Sequence, residues 1–169
     1  MARVTLVGPE EEENLSLRYL SSSLAAAGFD VDIIPFNRPE DLGQVLRAIL
    51  SAQDPPIMVG LSLAFQWRAK DVLALAVALR EHGYRGHITA GGHFGALSCR
   101  EILADFSEID SICRYEAEEM LVRLAQAVVS GDALESVSGI AFHGRDGQTI
   151  LTDLPNPPEL DRLPWPDRR

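Results

Sequence analysis

Positive charge is scarce in this chain: 15 lysines and arginines stand against 25 aspartates and glutamates, for a net charge of −10. Binding nucleic acid through its phosphates depends on clustered cations, so this balance excludes such a surface, and no basic stripe runs through the sequence. Long apolar runs are missing as well. The opening "MARVTLVGPEEEENL" holds one arginine and an apolar run of only five residues. That is too short for a secretion signal, and no later segment approaches the roughly 20 apolar residues of a membrane helix. These absences predict a cytoplasmic protein with neither nucleic acid nor membrane as partner. Cysteine is limited to Cys99 and Cys113, which lack the Cys-x-x-Cys or Cys/His spacing of a zinc or iron–sulfur site and are expected to be buried, reduced thiols. Catalytic motifs are absent too: no Gly-x-Ser-x-Gly, no His-Glu-x-x-His, no Walker loop, no Cys–His pair with an orienting acid nearby. His82, His87, His93 and His143 are scattered over a helix end, a strand start, a loop and a hairpin. The expectation is a domain that binds rather than catalyses.

What is present is regular. At 169 residues and 46% hydrophobic, the chain has the length of one domain with a sizeable core. Short β-branched runs alternate with longer segments of helical period, the pattern of repeated strand–helix–strand crossovers and hence of a parallel sheet. Strands are predicted at "RVTLVG", "DVDIIPF", "PIMVGLSL", "GHITAGG" and "IDSICRY". The third is almost wholly apolar, as a central strand covered on both faces must be. Helices are predicted at "NLSLRYLSSSLAAAGF", "EDLGQVLRAILSA", "KDVLALAVALREHG", "CREILADF" and "EAEEMLVRLAQAVVSG", the last stopping at Gly131. The result is an α/β, doubly wound, Rossmann-like domain: a five-stranded parallel sheet of flavodoxin-like order 2-1-3-4-5, over residues 1–134. "SGIAFHGRDGQTILTDL" reads as a C-terminal β-hairpin extension over residues 135–153, turning at Arg-Asp-Gly. Residues 154–169 hold five prolines and read as an extended linker toward a further domain.

In a doubly wound sheet, ligands sit beyond the carboxyl ends of the strands. The first such loop, "GPEEEEN", lacks the Gly-x-Gly-x-x-Gly cradle, and its four glutamates repel a pyrophosphate. They also read as a solvated helix start that suits the macrodipole. The third, "LSLAFQW", offers Ser62 as turn cap or ligand donor, with Phe65, Gln66 and Trp67 as a bulky, partly polar cluster. In the fourth, "ITAGGHFGAL", Gly91 and Gly92 permit positive φ and remove side chains, so that a flat ligand or a ligand tail can lie against the strand end. His93 reads as metal ligand, hydrogen-bond donor or plain loop residue. In the fifth, Arg114, Tyr115, Glu116 and Glu118 crowd a helix start, where capping and a dipole match are the simple account.

Ser62-Leu63-Ala64, followed after 26 residues by Gly91-Gly92, resembles the Ser-x-Leu…Gly-Gly pair of cobalamin-binding domains, with alanine in place of that leucine. In that family the serine and glycines line the cleft for the nucleotide tail of base-off cobalamin. Its better-known members carry Asp-x-His-x-x-Gly ahead of the serine, the histidine being the lower axial cobalt ligand. Here the window is "LSLRYL", with Leu15, Leu17 and Leu20 in those three places. The N-terminal cobalamin-binding domains of radical S-adenosylmethionine (SAM) enzymes also lack the histidine. This chain resembles them along nearly its whole length, through "IMVGLSL", "AGGHFGA", "YEAEEML", "VSGIAFHGRDGQTI" and "LDRLPWPDRR". Tyr115 and Ala117 stand where the commoner Gly-Glu-Gly-Glu has glycines.

The resemblance implies cobalamin held base-off, without an axial histidine, by Ser62, Leu63, Ala64, Phe65, Gln66, Gly91, Gly92, His93, Phe94, Tyr115 and Glu116. Phe65, Gln66 or Trp67 would face the lower side of the cobalt, and His93 only the periphery. A corrin is large, mostly apolar and fringed with amides, so aromatic and small residues plus hydroxyl, amide and backbone partners suit it. The partner implied in cis is a radical SAM barrel, which would bring SAM and a [4Fe-4S] cluster, most simply as a methyltransferase or a ring-forming relative. The domain itself is expected to supply no catalytic residue. The alternative is a docking module of the same fold with no bound cobalamin; phosphotransfer is disfavoured because Ser62 stands near the place a receiver gives to aspartate.

Overall fold

A computed structural model describes residues 1–51, 53–157 and 159–168. Thirteen elements follow in order: β1 (Arg3–Gly8), α1 (Leu15–Ala26), β2 (Asp30–Pro35), α2 (Leu42–Leu50), β3 (Met58–Ser62), α3 (Gln66–Glu81), β4 (His87–Gly91), α4 (His93–Leu97), α5 (Cys99–Asp105), β5 (Ser111–Cys113), α6 (Glu118–Ser130), β6 (Ile140–His143) and β7 (Thr149–Leu151). They form one sheet in the order β2-β1-β3-β4-β5-β6-β7. The first five strands are parallel in the expected order. The hairpin does not stand apart: β6 pairs antiparallel with β5, and β7 with β6, so the sheet has seven strands rather than five. Strand pairing joins residues distant in sequence, and the local pattern of a hairpin does not reveal which edge it extends.

Each face of the sheet carries its own core. Val45, Leu46 and Ile49 of α2, Val72, Leu75 and Leu79 of α3, and Ile102 and Leu103 of α5 cover one face. Leu17 and Leu24 of α1 and Met120, Leu121 and Leu124 of α6 cover the other. The apolar run of β3 is explained by this sandwiching: Met58, Val59 and Leu61 are all buried, each contributing about 1.5–3 kcal/mol over an exposed position. Cys99 and Cys113 are buried free thiols. No helix of the described residues is long and apolar enough to cross a membrane.

Three local expectations are corrected. α3 begins at Gln66, four residues before the predicted Lys70, so Gln66 and Trp67 lie in a first helical turn rather than in a loop. His93 and Phe94 open the five-residue helix α4 instead of occupying a loop. The glutamates after β1 precede the cap of α1 and leave its first turn without acid. Asn14 caps that helix by accepting from the Leu17 N–H at 3.3 Å. Glu10 pairs with Arg18, Glu11 with Arg38 at 3.3 Å and Glu13 with Arg168 at 3.3 Å. Repulsion within the acidic loop is therefore relieved by ion pairing as well as by solvent.

The amino end of the sheet is locked by one arginine. Arg80 donates to the carbonyls of Glu108, Tyr84 and Gly86 at 3.2, 3.1 and 2.8 Å and to the Asp110 carboxylate at 2.5 Å. Asp110 also accepts from the Ile88 N–H at 2.6 Å. The described residues of the last segment form a 3-10 turn at Leu160–Arg162 and fold back on the domain. Arg162, Leu163 and Pro164 lie along the seam between α1 and α6, beside Ser23, Ala26 and Val122. Farther on, the Asp167 N–H reaches the Arg18 carbonyl at 3.3 Å.

Candidate functional site

The carboxyl ends of β1, β3, β4 and β5 form the edge where strand order reverses. Ser62 closes β3 in register with Gly91 at the end of β4. A Cβ on Gly8, at the end of β1, would stand 2.7 Å from the Ser62 Cβ and 3.0 Å from Leu17 Cδ1. Gly8 is thus bare because Ser62 and α1 press against it, and sequence reading missed it: its signal was only that it ends a strand as Gly91 does. The window 15–20 has Leu15, Leu17 and Leu20 within α1, with Leu17 buried.

The two glycines of "AGGHF" have different reasons to be glycine. Gly92 has φ +104° and ψ 170°, a conformation that is essentially glycine's alone. A Cβ there would meet the Ala64 nitrogen at 2.8 Å and the Ala64 Cα and Leu63 carbonyl carbon at 2.9 Å. The fold, through the crossing of the β3–α3 segment, requires this glycine whatever lies beside it, as the expected positive φ implies. Gly91 is not so constrained. Its backbone is not in the positive-φ set, and a Cβ would meet only the Cys113 Cβ at 3.6 Å and the Cys113 carbonyl oxygen at 3.9 Å, ordinary contacts. Neither backbone nor packing explains the missing side chain at 91.

The remaining residues separate into two groups. Leu63 points into the core; its N–H donates to the Gly91 carbonyl at 2.7 Å and its carbonyl accepts from the Gly95 N–H at 3.1 Å. Phe94 is half-buried against the same core. Ala64 and Ser62 are half-buried, while Gln66, Gly92, His93 and Glu116 are exposed at the strand-end surface or beside it. Phe65 is 54% exposed and Trp67 77%, stacked on each other with ring centres 6.2 Å apart. Glu116 lines a small cavity with Met120, Ser138 and Asn156. Tyr115 is 65% exposed and, at φ +68°, is the positive-φ residue other than glycine among the described residues. The structure therefore brings Ser62, Ala64, Gly91 and Gly92 into one patch, flanked by the aromatic pair.

Beneath Gly91 runs a buried polar string. His87 Nε2 lies 2.8 Å from Ser111 Oγ, which donates to Thr89 Oγ1 at 3.0 Å, and Thr89 Oγ1 approaches Cys113 Sγ at 3.8 Å. Burial pulls the His87 imidazole below its ordinary pKa, opposed by the nearby Asp110 carboxylate. Burial pushes the Cys113 thiol up to about 11, so it stays a neutral thiol near pH 7. No cluster of histidine, cysteine, aspartate or glutamate suited to a metal ion occurs among the described residues. The donor set at the patch is one hydroxyl, one amide and bare backbone.

The strain at Tyr115 gives a measurable expectation. A left-handed backbone costs a residue with a side chain about 1–2 kcal/mol, less what glycine loses in chain entropy. Tyr115→Gly should raise the thermal midpoint of the unliganded protein by about 2–4 °C. A lowered midpoint in a thermal melt would mean that contacts of the tyrosine ring outweigh the strain.

A family model described as "B12 binding domain" matches residues 4–125. Among solved structures, the chain is 25% identical to the cobalamin-dependent S-adenosylmethionine radical enzyme OxsB, solved with aqua-cobalamin and S-adenosylmethionine bound. That match has a TM-score of 0.82 over 98% of this chain and 24% of OxsB. It also shares its fold with the radical S-adenosylmethionine methyltransferase TsrM from Kitasatospora setae, solved with cobalamin and a [4Fe-4S] cluster, at 18% identity and TM-score 0.77 over 98% of this chain and 31% of that one. The methanol:cobalamin methyltransferase complex MtaBC from Methanosarcina barkeri shares it at 17% identity and TM-score 0.61, over 78% of this chain and 47% of that one. No curated protein matches. The chain spans about a quarter of the length of OxsB. With the family model covering most of the sheet and its helices, the chain belongs to the B12-binding domain family.

Proposed function

We propose that this chain binds cobalamin, base-off and without an axial histidine, as the cofactor domain of a radical SAM enzyme, most simply a methyltransferase. The observation that carries the reading is Gly91: it is bare for no reason internal to the fold, beside Ser62, on the edge where this family's domain is expected to hold its ligand. The chemistry of the patch fits the group. Ser62 and Gln66 offer hydroxyl and amide partners for the amide fringe, Gly91 and Ala64 give bare or nearly bare surface for a tail, and Phe65 and Trp67 give a flat apolar one. Tyr115 and Glu116 of the β5–α6 segment and His93 and Phe94 of α4 would border the bound group. Phe65, Gln66 or Trp67 would lie on the lower side of the cofactor, with Gln66 the one of the three able to coordinate or position a water there. Cobalamin bound there would, in its methylated form, supply a transferable methyl group.

The likeness to OxsB and TsrM supports the context. Residues 1–134 would form the cobalamin-binding unit, 135–153 its hairpin extension and 154–169 the linker toward a radical SAM barrel that brings SAM and a [4Fe-4S] cluster; residues 158 and 169 of that linker lie outside the described ones. A cytoplasmic setting accords with this chemistry.

Mixing the purified protein with hydroxocobalamin, desalting it and recording the visible spectrum tests the proposal. Stoichiometric retention with a base-off spectrum is expected. A base-on spectrum overturns the base-off assignment. Complete separation of cobalamin from protein overturns binding itself and leaves the domain as a docking module for the barrel.

A further inference from the structure

Among the described residues Arg68 is the buried charged one, 7% exposed in the first turn of α3. Burying a guanidinium is costly unless its donors are met, and among the described residues it has no carboxylate in ion-pair distance. Its contacts are a carbonyl and two rings. Nη2 donates to the Phe36 carbonyl, just past β2, at 2.7 Å. The guanidinium carbon lies 5.8 Å from the centre of the Phe36 ring and 5.5 Å from that of Trp67. Phe36 is itself fixed: it is fully buried, and its N–H donates to the Gly8 carbonyl at 2.8 Å. Trp67 in turn stacks on Phe65. A chain of contacts from Phe36 through Arg68 and Trp67 to Phe65 thus runs from the core to the exposed aromatic pair.

We infer that Arg68 is a positioning residue: its guanidinium, anchored on the Phe36 carbonyl, fixes the Trp67–Phe65 pair as a preformed platform beside Ser62 and Gly91. Trp67 is 77% exposed, so ordinary packing covers too little of it to set its orientation. The planar cation beneath does so instead. A platform ordered before the ligand arrives avoids the ordering cost on binding. Lysine cannot substitute, because it lacks both the flat face that stacks and the fork that reaches the carbonyl while stacking. The platform's ligand rests on the cobalamin reading; the ordering of Trp67 does not.

The test uses the full chain in a Trp165→Phe background. The sequence has two tryptophans and Trp165 is 90% exposed, so the change is mild and Trp67 becomes the sole reporter. Time-resolved fluorescence anisotropy without cobalamin should show the Trp67 ring tumbling with the protein when Arg68 is present. In Arg68→Lys and Arg68→Met a fast, sub-nanosecond component should appear while far-UV circular dichroism is unchanged. In the same variants, release of hydroxocobalamin should quicken roughly tenfold, as loss of about 1.4 kcal/mol of stacking and ordering implies. An unchanged anisotropy decay in a folded Arg68→Lys protein overturns the inference, even if Arg68→Met does not fold. A freed Trp67 with unaltered cobalamin release overturns the link between platform and ligand. If the parent protein retains no cobalamin, the function proposed above fails, and the anisotropy alone decides the role of Arg68.

Discussion

Gly92→Ala should lower the thermal midpoint by roughly 10 °C. Two costs add. Forcing an alanine into a conformation reserved for glycine takes about 1–3 kcal/mol, and inserting a methyl where none fits takes about 1–3 kcal/mol more. For a chain of 169 residues each kcal/mol shifts the midpoint by about 2–4 °C. The obstruction cannot swing aside, because the atoms in the way at 2.8–2.9 Å are backbone atoms of Leu63 and Ala64. That backbone is held on both sides by its bonds to Gly91 and Gly95. A melt of Gly92→Ala within about 2 °C of the parent would contradict this account of the loop. It follows that loss of cobalamin from any Gly92 variant reports on the fold before it reports on the ligand.

Gly91→Val should do the reverse: leave the fold nearly intact and abolish most cobalamin retention. The Cβ meets only Cys113 at ordinary distances, and valine suits the end of a strand, so the midpoint should stay within about 4 °C of the parent. Its methyls, however, would add bulk at the strand end where the proposed ligand lies. Overpacking against a bound ligand by about 1–3 kcal/mol corresponds to release roughly 5- to 150-fold faster, readable by following hydroxocobalamin loss after dilution. Undiminished retention in a folded Gly91→Val protein would move the ligand elsewhere. The two variants together separate what the sequence presents as a single motif.

That separation marks the limit of what the chain discloses when read in one dimension. β3 was legible because a strand sandwiched between helix layers has to be apolar throughout, and "PIMVGLSL" is. The order of the five parallel strands followed from the alternation of strand and helix. α4 was not legible, since "HFGAL" is five residues with a glycine inside and is held as a helix by the bonds its own Gly95 and Ala96 N–H groups make to the Leu63 and Gly92 carbonyls. Gly91 and Gly92 are adjacent identical letters; the difference between them is the path of residues 63 and 64 overhead, more than 25 residues earlier in the chain. Arg68 escaped for a similar reason. An arginine two residues past "FQ" reads as a solvated helix residue, and only the end of β2 arriving at its guanidinium makes it a core group.

The unequal standing of Gly91 and Gly92 also bears on how such domains drift. In a lineage relieved of carrying any cofactor, selection on folding would go on preserving the glycine at 92, where the β3–α3 segment crosses it. Nothing would guard the one at 91, and side chains would accumulate there. A descendant with Gly92 intact and a bulky residue at 91 would be the fossil of a binding site, a domain that kept its shape after losing its cargo.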